Sequence, residues 1–97
     1  MRKLIKDICR WQRNTFPYSN VTSQYNHFIK EVKELKEALE IGSIVEKMEE
    51  IADCAILLIG ISDSLDIDFI KAIETKHEIN KKRNWGIPDN NEIVEHI

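Results

Sequence analysis

The sequence contains few residues that break or cross-link a chain. Its 97 residues include only three Gly and two Pro, too few for the many tight turns of an all-β domain. Cys9 and Cys54 match no metal-ligand spacing, and we expect them to be small buried hydrophobic residues. The longest apolar run, 54–61, is far below the roughly 20 residues that span a bilayer, and the N-terminus is too charged for a signal peptide. We therefore expect a cytoplasmic protein without a membrane partner.

The net charge of the chain disfavours nucleic acid and anionic lipid as partners. The formal net charge is −3, so no overall basic field attracts nucleic acid polymers or anionic lipid. Hydrophobic residues make up 42% of the chain and charged residues 32%, which is typical of a helical globular protein. At this length the chain is expected to form one domain, residues 1–97, with a modest core. An anionic substrate would need a bound metal ion or a few placed cations.

Apolar residues recur at helical spacing along most of the chain. Ser23 is the expected N-cap of the second helix, with Asn20 and Thr22 as alternatives. Gly42 suits a left-handed C-terminal stop, and Ser43 with Glu46 forms a capping-box pattern before the third helix. The pattern predicts an all-α, four-helix bundle with a short C-terminal tail over residues 90–97. The expected helices run over residues 2–14, 23–41, 44–65 and 68–83.

The expected core includes aromatic and glycine positions. Trp11 and Phe16 are interpreted first as core residues, and the alternative is that they line a nucleobase pocket with Gln12. After Cys54 the third helix is apolar almost all round, which is typical of a central, buried helix. Gly60 lies inside that helix, where a close helix crossing would explain it.

Two pairs of carboxylates occur at a three-residue spacing. Glu31 and Glu34 lie on the second helix, and Glu50 and Asp53 on the third, so each pair shares a helix face. Four converging acids would repel one another unless a cation lay between them. Hard oxygen ligands favour Mg²⁺, with Mn²⁺ also possible. The alternative is that these acids, like the neighbouring Glu37, belong to a solvated helix face.

The residues around these pairs resemble a known family. EVKEL at 31–35, followed by EEIADCAILL at 49–58, is similar to the ExxE…ExxD signature of MazG-like all-α nucleoside triphosphate pyrophosphohydrolases. WQRNTFP at 11–17, HFIKEVKEL at 27–35 and KHEINKKRNWGIPD at 76–89 resemble small single-domain members described as dATP/dGTP pyrophosphohydrolase-like. The resemblance extends from about Ile8 to Ile97.

The resemblance implies a function and a set of site residues. The expected reaction is Mg²⁺-dependent cleavage of a nucleoside triphosphate between the α and β phosphates, and the expected assembly is a homodimer or homotetramer. The implied metal ligands and catalytic acids are Glu31, Glu34, Glu50 and Asp53. The implied phosphate contacts are Lys76, Asn80 and Arg83, which share one face of the fourth helix, and Trp11 is a further candidate for substrate binding.

Two other functions remain open at this point. The chain could be a non-catalytic helical module that oligomerises or binds a nucleotide as a regulator. It could also be a metal-dependent phosphohydrolase that releases orthophosphate. The identity of the first product distinguishes these functions.

Overall fold

The computed structural model describes residues 1–96 and consists of four α-helices. Helix α1 spans Arg2–Thr15, α2 spans Val21–Ile41, α3 spans Ile44–Ser64 and α4 spans Phe69–Lys82. The all-α class and the number of helices are therefore confirmed. Within residues 1–96, none of the helices is long and apolar enough to cross a membrane.

Short polar side chains cap the N-termini of α2, α3 and α4. Asn20, rather than Ser23, is the N-cap of α2, and its side chain accepts a hydrogen bond from the Ser23 backbone N–H at 2.9 Å. The choice of Ser23 was wrong because this serine completes the capping box from the third helical position, where its hydroxyl bonds the Asn20 backbone N–H. The predicted capping box of Ser43 and Glu46 at α3 is confirmed.

A tight connection joins α2 to α3. Gly42 has φ −85° and ψ 163°, so the expectation of a left-handed residue was wrong. A Cβ atom at this position would meet the Ala38 carbonyl oxygen at 2.7 Å. Glycine is therefore needed here because a larger residue would not fit, and not because of its conformational freedom. Helices α2 and α3 form an antiparallel hairpin that is joined by only two residues.

Helix α1 packs against α3 near Gly60. The Gln12 side chain lies against this glycine, and its Nε2 donates a hydrogen bond to the Ile56 carbonyl oxygen at 3.3 Å. A Cβ atom on residue 60 would approach Gln12 Oε1 to 2.8 Å. The close approach to Gly60 is therefore made by a side chain of α1. Cys9 and Cys54 are buried, as expected.

Much of the expected core is open on one side. Trp11 is 59% exposed and Phe16 is 54% exposed, so their interpretation as core residues was wrong. Other apolar positions of the expected helix seams are also exposed, because a helical stripe reports which face is apolar but not what covers it. These positions include Val32, Leu39, Ile73 and Ile79.

The C-terminal segment folds back on itself beside the end of α4. The Trp85 indole N–H donates to the Asn80 carbonyl oxygen at 2.9 Å, and Trp85 pairs with His96 in an isolated antiparallel bridge. At the other end of α4, Asp68 caps the helix through the Lys71 N–H and forms an ion pair with Arg2 at 2.8 Å. Ile97, the last residue of the predicted tail, lies outside the described residues.

Candidate active site

Three carboxylates meet between α2 and α3. Glu31, Glu50 and Asp53 each place one oxygen so that all three atoms lie within 4.8 Å of one another. The hairpin brings them together because the two helices run antiparallel from the short connection at Gly42. Glu37 and Glu40, which lie closer to that connection on α2, are exposed. We call Glu31, Glu50 and Asp53 the acidic cluster.

Glu34 lies beside this cluster and affects its ionisation. A hydrogen bond with the Glu34 carboxyl group raises the pKa of Glu31 above its ordinary value. Burial of the group and the negative charge of Asp53 act in the same direction. His27 acts in the opposite direction and lowers the pKa of Glu31, because its Nε2 lies 3.1 Å from Glu31 Oε1. The structure thus places all four predicted acids in one region, three of them within mutual reach of a single ion.

Two carboxylate oxygens of the acidic cluster form no hydrogen bond. Glu31 Oε2 and Glu50 Oε2 are buried without a hydrogen-bond partner among the described residues. A buried carboxylate oxygen without a partner is costly, and neighbouring negative charges increase that cost. A divalent cation would satisfy these oxygens and offset the repulsion. The donor set consists of hard oxygens, which suits Mg²⁺ or Mn²⁺.

A cavity of about 800 Å³ adjoins the cluster. Glu31 and Asp53 line one part of it, while Trp11 and Phe16 line another. The two aromatic rings meet edge to face, with centroids 5.6 Å apart and an interplanar angle of 82°. The cavity therefore joins an acidic region to aromatic surface, and its volume is in the range of small-ligand sites.

Polar side chains line the remaining wall of the cavity. Arg13 donates to Asp63 at 2.9 Å, and the Ser64 hydroxyl donates to Gln24 Oε1 at 2.9 Å. Gln12 Oε1 is buried there without a partner among residues 1–96. Gln12 was a candidate from the sequence, whereas the other four residues were not predicted to line a site. They have no shared motif, and they meet only because α1 and α2 both pack against the C-terminal half of α3.

The structure does not bring the predicted phosphate contacts to this cavity. Lys76, Asn80 and Arg83 are on α4 or at its end, and within the described chain no residue of α4 lines the cavity. Arg83 Nη1 instead lies 3.4 Å from His96 Nδ1. Asn80 Oδ1 is buried without a partner in the described part of the chain. Their role is therefore not explained by the site within one chain.

The sequence and the fold are similar to those of known proteins. A family model described as dATP/dGTP pyrophosphohydrolase matches residues 4–97. Among solved structures, the fold is similar to that of a cyanophage S-2L MazG-like pyrophosphohydrolase bound to dGDP and three catalytic Mn²⁺ ions per active site. The TM-score is 0.76, with 24% sequence identity over 98% of this chain and 90% of the cyanophage chain. No curated protein matches the sequence significantly.

The match to the family model covers nearly the whole sequence, and the similar structure has the same all-α fold. Family membership also identifies the general activity, whereas the structural similarity at this identity supports the fold. The chain therefore belongs to the dATP/dGTP pyrophosphohydrolase family.

Proposed function

We propose that this enzyme hydrolyses (deoxy)nucleoside triphosphates to the monophosphate and pyrophosphate, using a divalent cation held by its acidic cluster. The observation that supports this proposal best is the set of three carboxylate oxygens within 4.8 Å of one another. Two side chains of the cluster have buried, unpartnered oxygens, and the cluster borders a cavity large enough for a nucleotide. The dGDP and Mn²⁺ ions of the cyanophage protein support the same class of ligand.

The proposed ligands of the cation are Glu31, Glu50 and Asp53, and Glu34, which lies beside Glu31, is a further candidate. When bound, Mg²⁺ or Mn²⁺ would neutralise phosphate charge and assist activation of a water molecule. His27 contacts the Oε1 atom of Glu31, which leaves its buried Oε2 for the cation.

The four acids also provide a proton acceptor for hydrolysis. In the proposed reaction, water attacks the α-phosphorus, the bond from that phosphorus to the bridging oxygen breaks, and pyrophosphate leaves. One carboxylate accepts the proton that the water loses. Because the carboxylates are held on two packed helices rather than on a mobile loop, they require little rearrangement to act.

The aromatic part of the cavity is the proposed base site. Trp11 and Phe16 line this part, and each is more than half exposed. Adjacent exposed aromatic rings are typical of a surface that binds a ligand. We propose that the base contacts this pair, with the amide of Gln12 near its edge. Within this cavity the triphosphate would then extend toward Glu31 and Asp53.

The test is product identification with a panel of dNTPs and NTPs in the presence of Mg²⁺ or Mn²⁺. Wild-type protein is expected to release pyrophosphate. Glu50→Gln and Asp53→Asn should each lower kcat at least about 100-fold, because each removes one cation ligand without changing side-chain shape. Glu37→Gln and Glu40→Gln are matched controls on the exposed part of α2, and their rates should stay within about twofold of wild type.

The outcomes separate the candidate functions. Full activity in Glu50→Gln and Asp53→Asn would overturn the site assignment. Orthophosphate as the first product would instead identify a phosphohydrolase of another class. Thermal stabilisation by nucleotides without turnover would favour the non-catalytic regulatory module.

A further inference from the structure

A histidine lies in the cavity at the edge of the acidic cluster. His27 is on α2, one helical turn before Glu31, and both side chains line the cavity. Residues four apart on a helix are neighbours on one face, and His27 Nε2 lies 3.1 Å from Glu31 Oε1. An ionised carboxylate only accepts hydrogen bonds, so Nε2 is the donor. The imidazole is therefore bound to one oxygen of a proposed cation ligand.

The two oxygens of Glu31 have different surroundings. Oε1 accepts the hydrogen bond from His27, whereas Oε2 is buried without a partner among the described residues. The side chain of Glu31 is only 12% exposed, while that of His27 is 57% exposed. Water therefore reaches the histidine but does little to fix the carboxylate. The contact with His27 leaves Oε2 as the oxygen of Glu31 that is free to bind a cation.

Cation binding requires the carboxylate of Glu31 in one orientation. A free glutamate side chain populates several rotamers, and the loss of that freedom opposes binding. A hydrogen bond that already exists in the metal-free protein offsets part of this loss, because the carboxylate is held before the cation arrives. Hydrogen bonds to ligating carboxylates are common around metal sites, and their removal typically weakens metal binding by about 10–100-fold.

An imidazole is suited to this position because it can donate a hydrogen bond while uncharged. Neutral histidine carries one N–H donor, so it can bind the carboxylate without adding a positive charge. A lysine at the same position could reach Glu31, but its permanent charge would compete with a divalent cation for the carboxylate. Among the described residues that line the cavity, Arg13 is the only lysine or arginine, and it is bound to Asp63 at 2.9 Å. No lysine or arginine of the described lining therefore contacts Glu31.

We propose that His27 is a positioning residue for the cation site. Its N–H group holds Oε1 of Glu31 and thereby leaves Oε2 available to the cation, so that this ligand is oriented before the cation binds. The inference rests on the proposed function, because that function assigns a cation to the acidic cluster. It accounts for the contact between a cavity histidine and an acid, and for the different surroundings of the two oxygens of Glu31.

The test is Mn²⁺ binding to the full chain without nucleotide, measured by electron paramagnetic resonance of the free ion. His27→Ala and His27→Phe remove the donor, and each should raise the Kd for Mn²⁺ by about 10–100-fold. His27→Gln keeps an uncharged N–H donor that can reach an acid four residues away, so it should bind Mn²⁺ nearly as tightly as wild type. His27→Lys adds a permanent charge and should bind Mn²⁺ as weakly as His27→Ala. His77→Ala is the matched control, since His77 is exposed on α4 and does not line the cavity.

A double-mutant cycle determines whether His27 acts through Glu31. In a Glu31→Ala background there is no carboxylate to position, so His27→Ala should have little further effect on the Kd for Mn²⁺. Thermal unfolding in EDTA separates positioning from a role in folding. An exposed pair of residues four apart on a helix contributes little to stability, so the Tm of His27→Ala protein should stay within about 3 °C of wild type.

An unchanged Kd for Mn²⁺ in His27→Ala protein would overturn the proposal, as would a His27→Gln protein that binds as weakly as His27→Ala. Equal effects of His27→Ala in the wild-type and Glu31→Ala backgrounds would also overturn it. In pyrophosphate release, His27→Ala protein should require more Mn²⁺ but reach nearly the wild-type kcat at saturation. A higher KM for dATP with unchanged affinity for Mn²⁺ would instead identify His27 as a substrate contact and would contradict the positioning role.

Failure of this inference is distinguishable from failure of the proposed function. Mn²⁺ binding is measured without nucleotide, so it does not depend on the reaction. Wild-type protein that binds Mn²⁺ in a His27-dependent way but releases no pyrophosphate would contradict only the proposed reaction. Wild-type protein that releases pyrophosphate, together with His27→Ala protein of unchanged affinity for Mn²⁺, would contradict only the role of His27.

Discussion

Replacing Glu50 by glutamine should stabilise the metal-free protein while it removes activity. In the absence of a cation, the Glu50 carboxylate lies within 4.8 Å of an oxygen of Asp53 and of Glu31. Glutamine has nearly the same shape but no charge. The substitution therefore removes repulsion without opening a cavity, and the buried Oε2 of Glu50 has no hydrogen bond to lose.

The expected gain follows from the distance between the charges. Two unit charges 4.8 Å apart repel by about 0.9 kcal/mol in water and by about 3.5 kcal/mol at an effective dielectric constant of 20. Glu50 is partly buried and Asp53 is exposed, so the relevant value lies between these limits. The raised pKa of Glu31 weakens its share of the repulsion. A gain of about 1–2 kcal/mol is therefore expected, and each kcal/mol raises Tm by about 4–8 °C in a domain of this size.

The assay is thermal or urea unfolding at one fixed protein concentration, with EDTA and then with saturating Mg²⁺ or Mn²⁺. In EDTA the Glu50→Gln protein should be more stable than wild type. With the metal the order should reverse, because wild type gains about 2.7 kcal/mol when the free metal is 100 times Kd. Glu37→Gln removes the same charge from an exposed position and should change stability by less than about 0.5 kcal/mol. A Glu50→Gln protein that is less stable than wild type in EDTA would refute the reasoning.

Two other predictions concern helix packing and capping. Gly60→Ala should change stability little in wild type, because a gain of about 1 kcal/mol in helix propensity is offset by displacement of Gln12 and loss of a hydrogen bond worth about 1 kcal/mol. In a Gln12→Ala background the same substitution should stabilise by about 1 kcal/mol in urea unfolding, and equal effects in both backgrounds would contradict this packing. Asp68→Asn should lower stability above about pH 4, because a hydrogen bond from the Lys71 backbone N–H, with help from Arg2, lowers the pKa of Asp68. The difference should disappear as the pH falls through that lowered pKa, where Asp68 becomes neutral, and a pH-independent difference in urea midpoints would count against the cause.

The spacing of apolar residues, together with capping and helix-breaking residues, was sufficient to predict the four helices and their approximate ends. They also predicted the capping box at Ser43, since that motif depends on residues only three apart. The conformation of Gly42 could not be deduced in the same way. Its constraint is a close approach of the Ala38 carbonyl, which depends on the direction in which the chain leaves α2.

The acidic residues were identifiable because spacing places each pair on one helix face. Their convergence depends on how α2 and α3 pack, which spacing alone does not determine. The exposure of Trp11 was missed for a related reason. An aromatic residue on an apolar helix stripe can face a core, a ligand cavity or a second subunit, and its neighbours in sequence are similar in all three cases. The separation of Lys76 from the cavity likewise depends on the path of the chain after α3.

The two-residue connection at Gly42 also fixes the position of the acids on α3 relative to those on α2. Glu31 precedes Gly42 by eleven residues and Asp53 follows it by eleven, while Glu34 and Glu50 are each eight residues away. Residues at equal distances from the turn of an antiparallel hairpin lie at similar heights along the two helices. Each inserted or deleted residue that α3 absorbed would shift its acids by about 1.5 Å and rotate them by about 100° relative to α2. Most surface turns tolerate small changes in length, but this one holds the two halves of the acidic cluster in register.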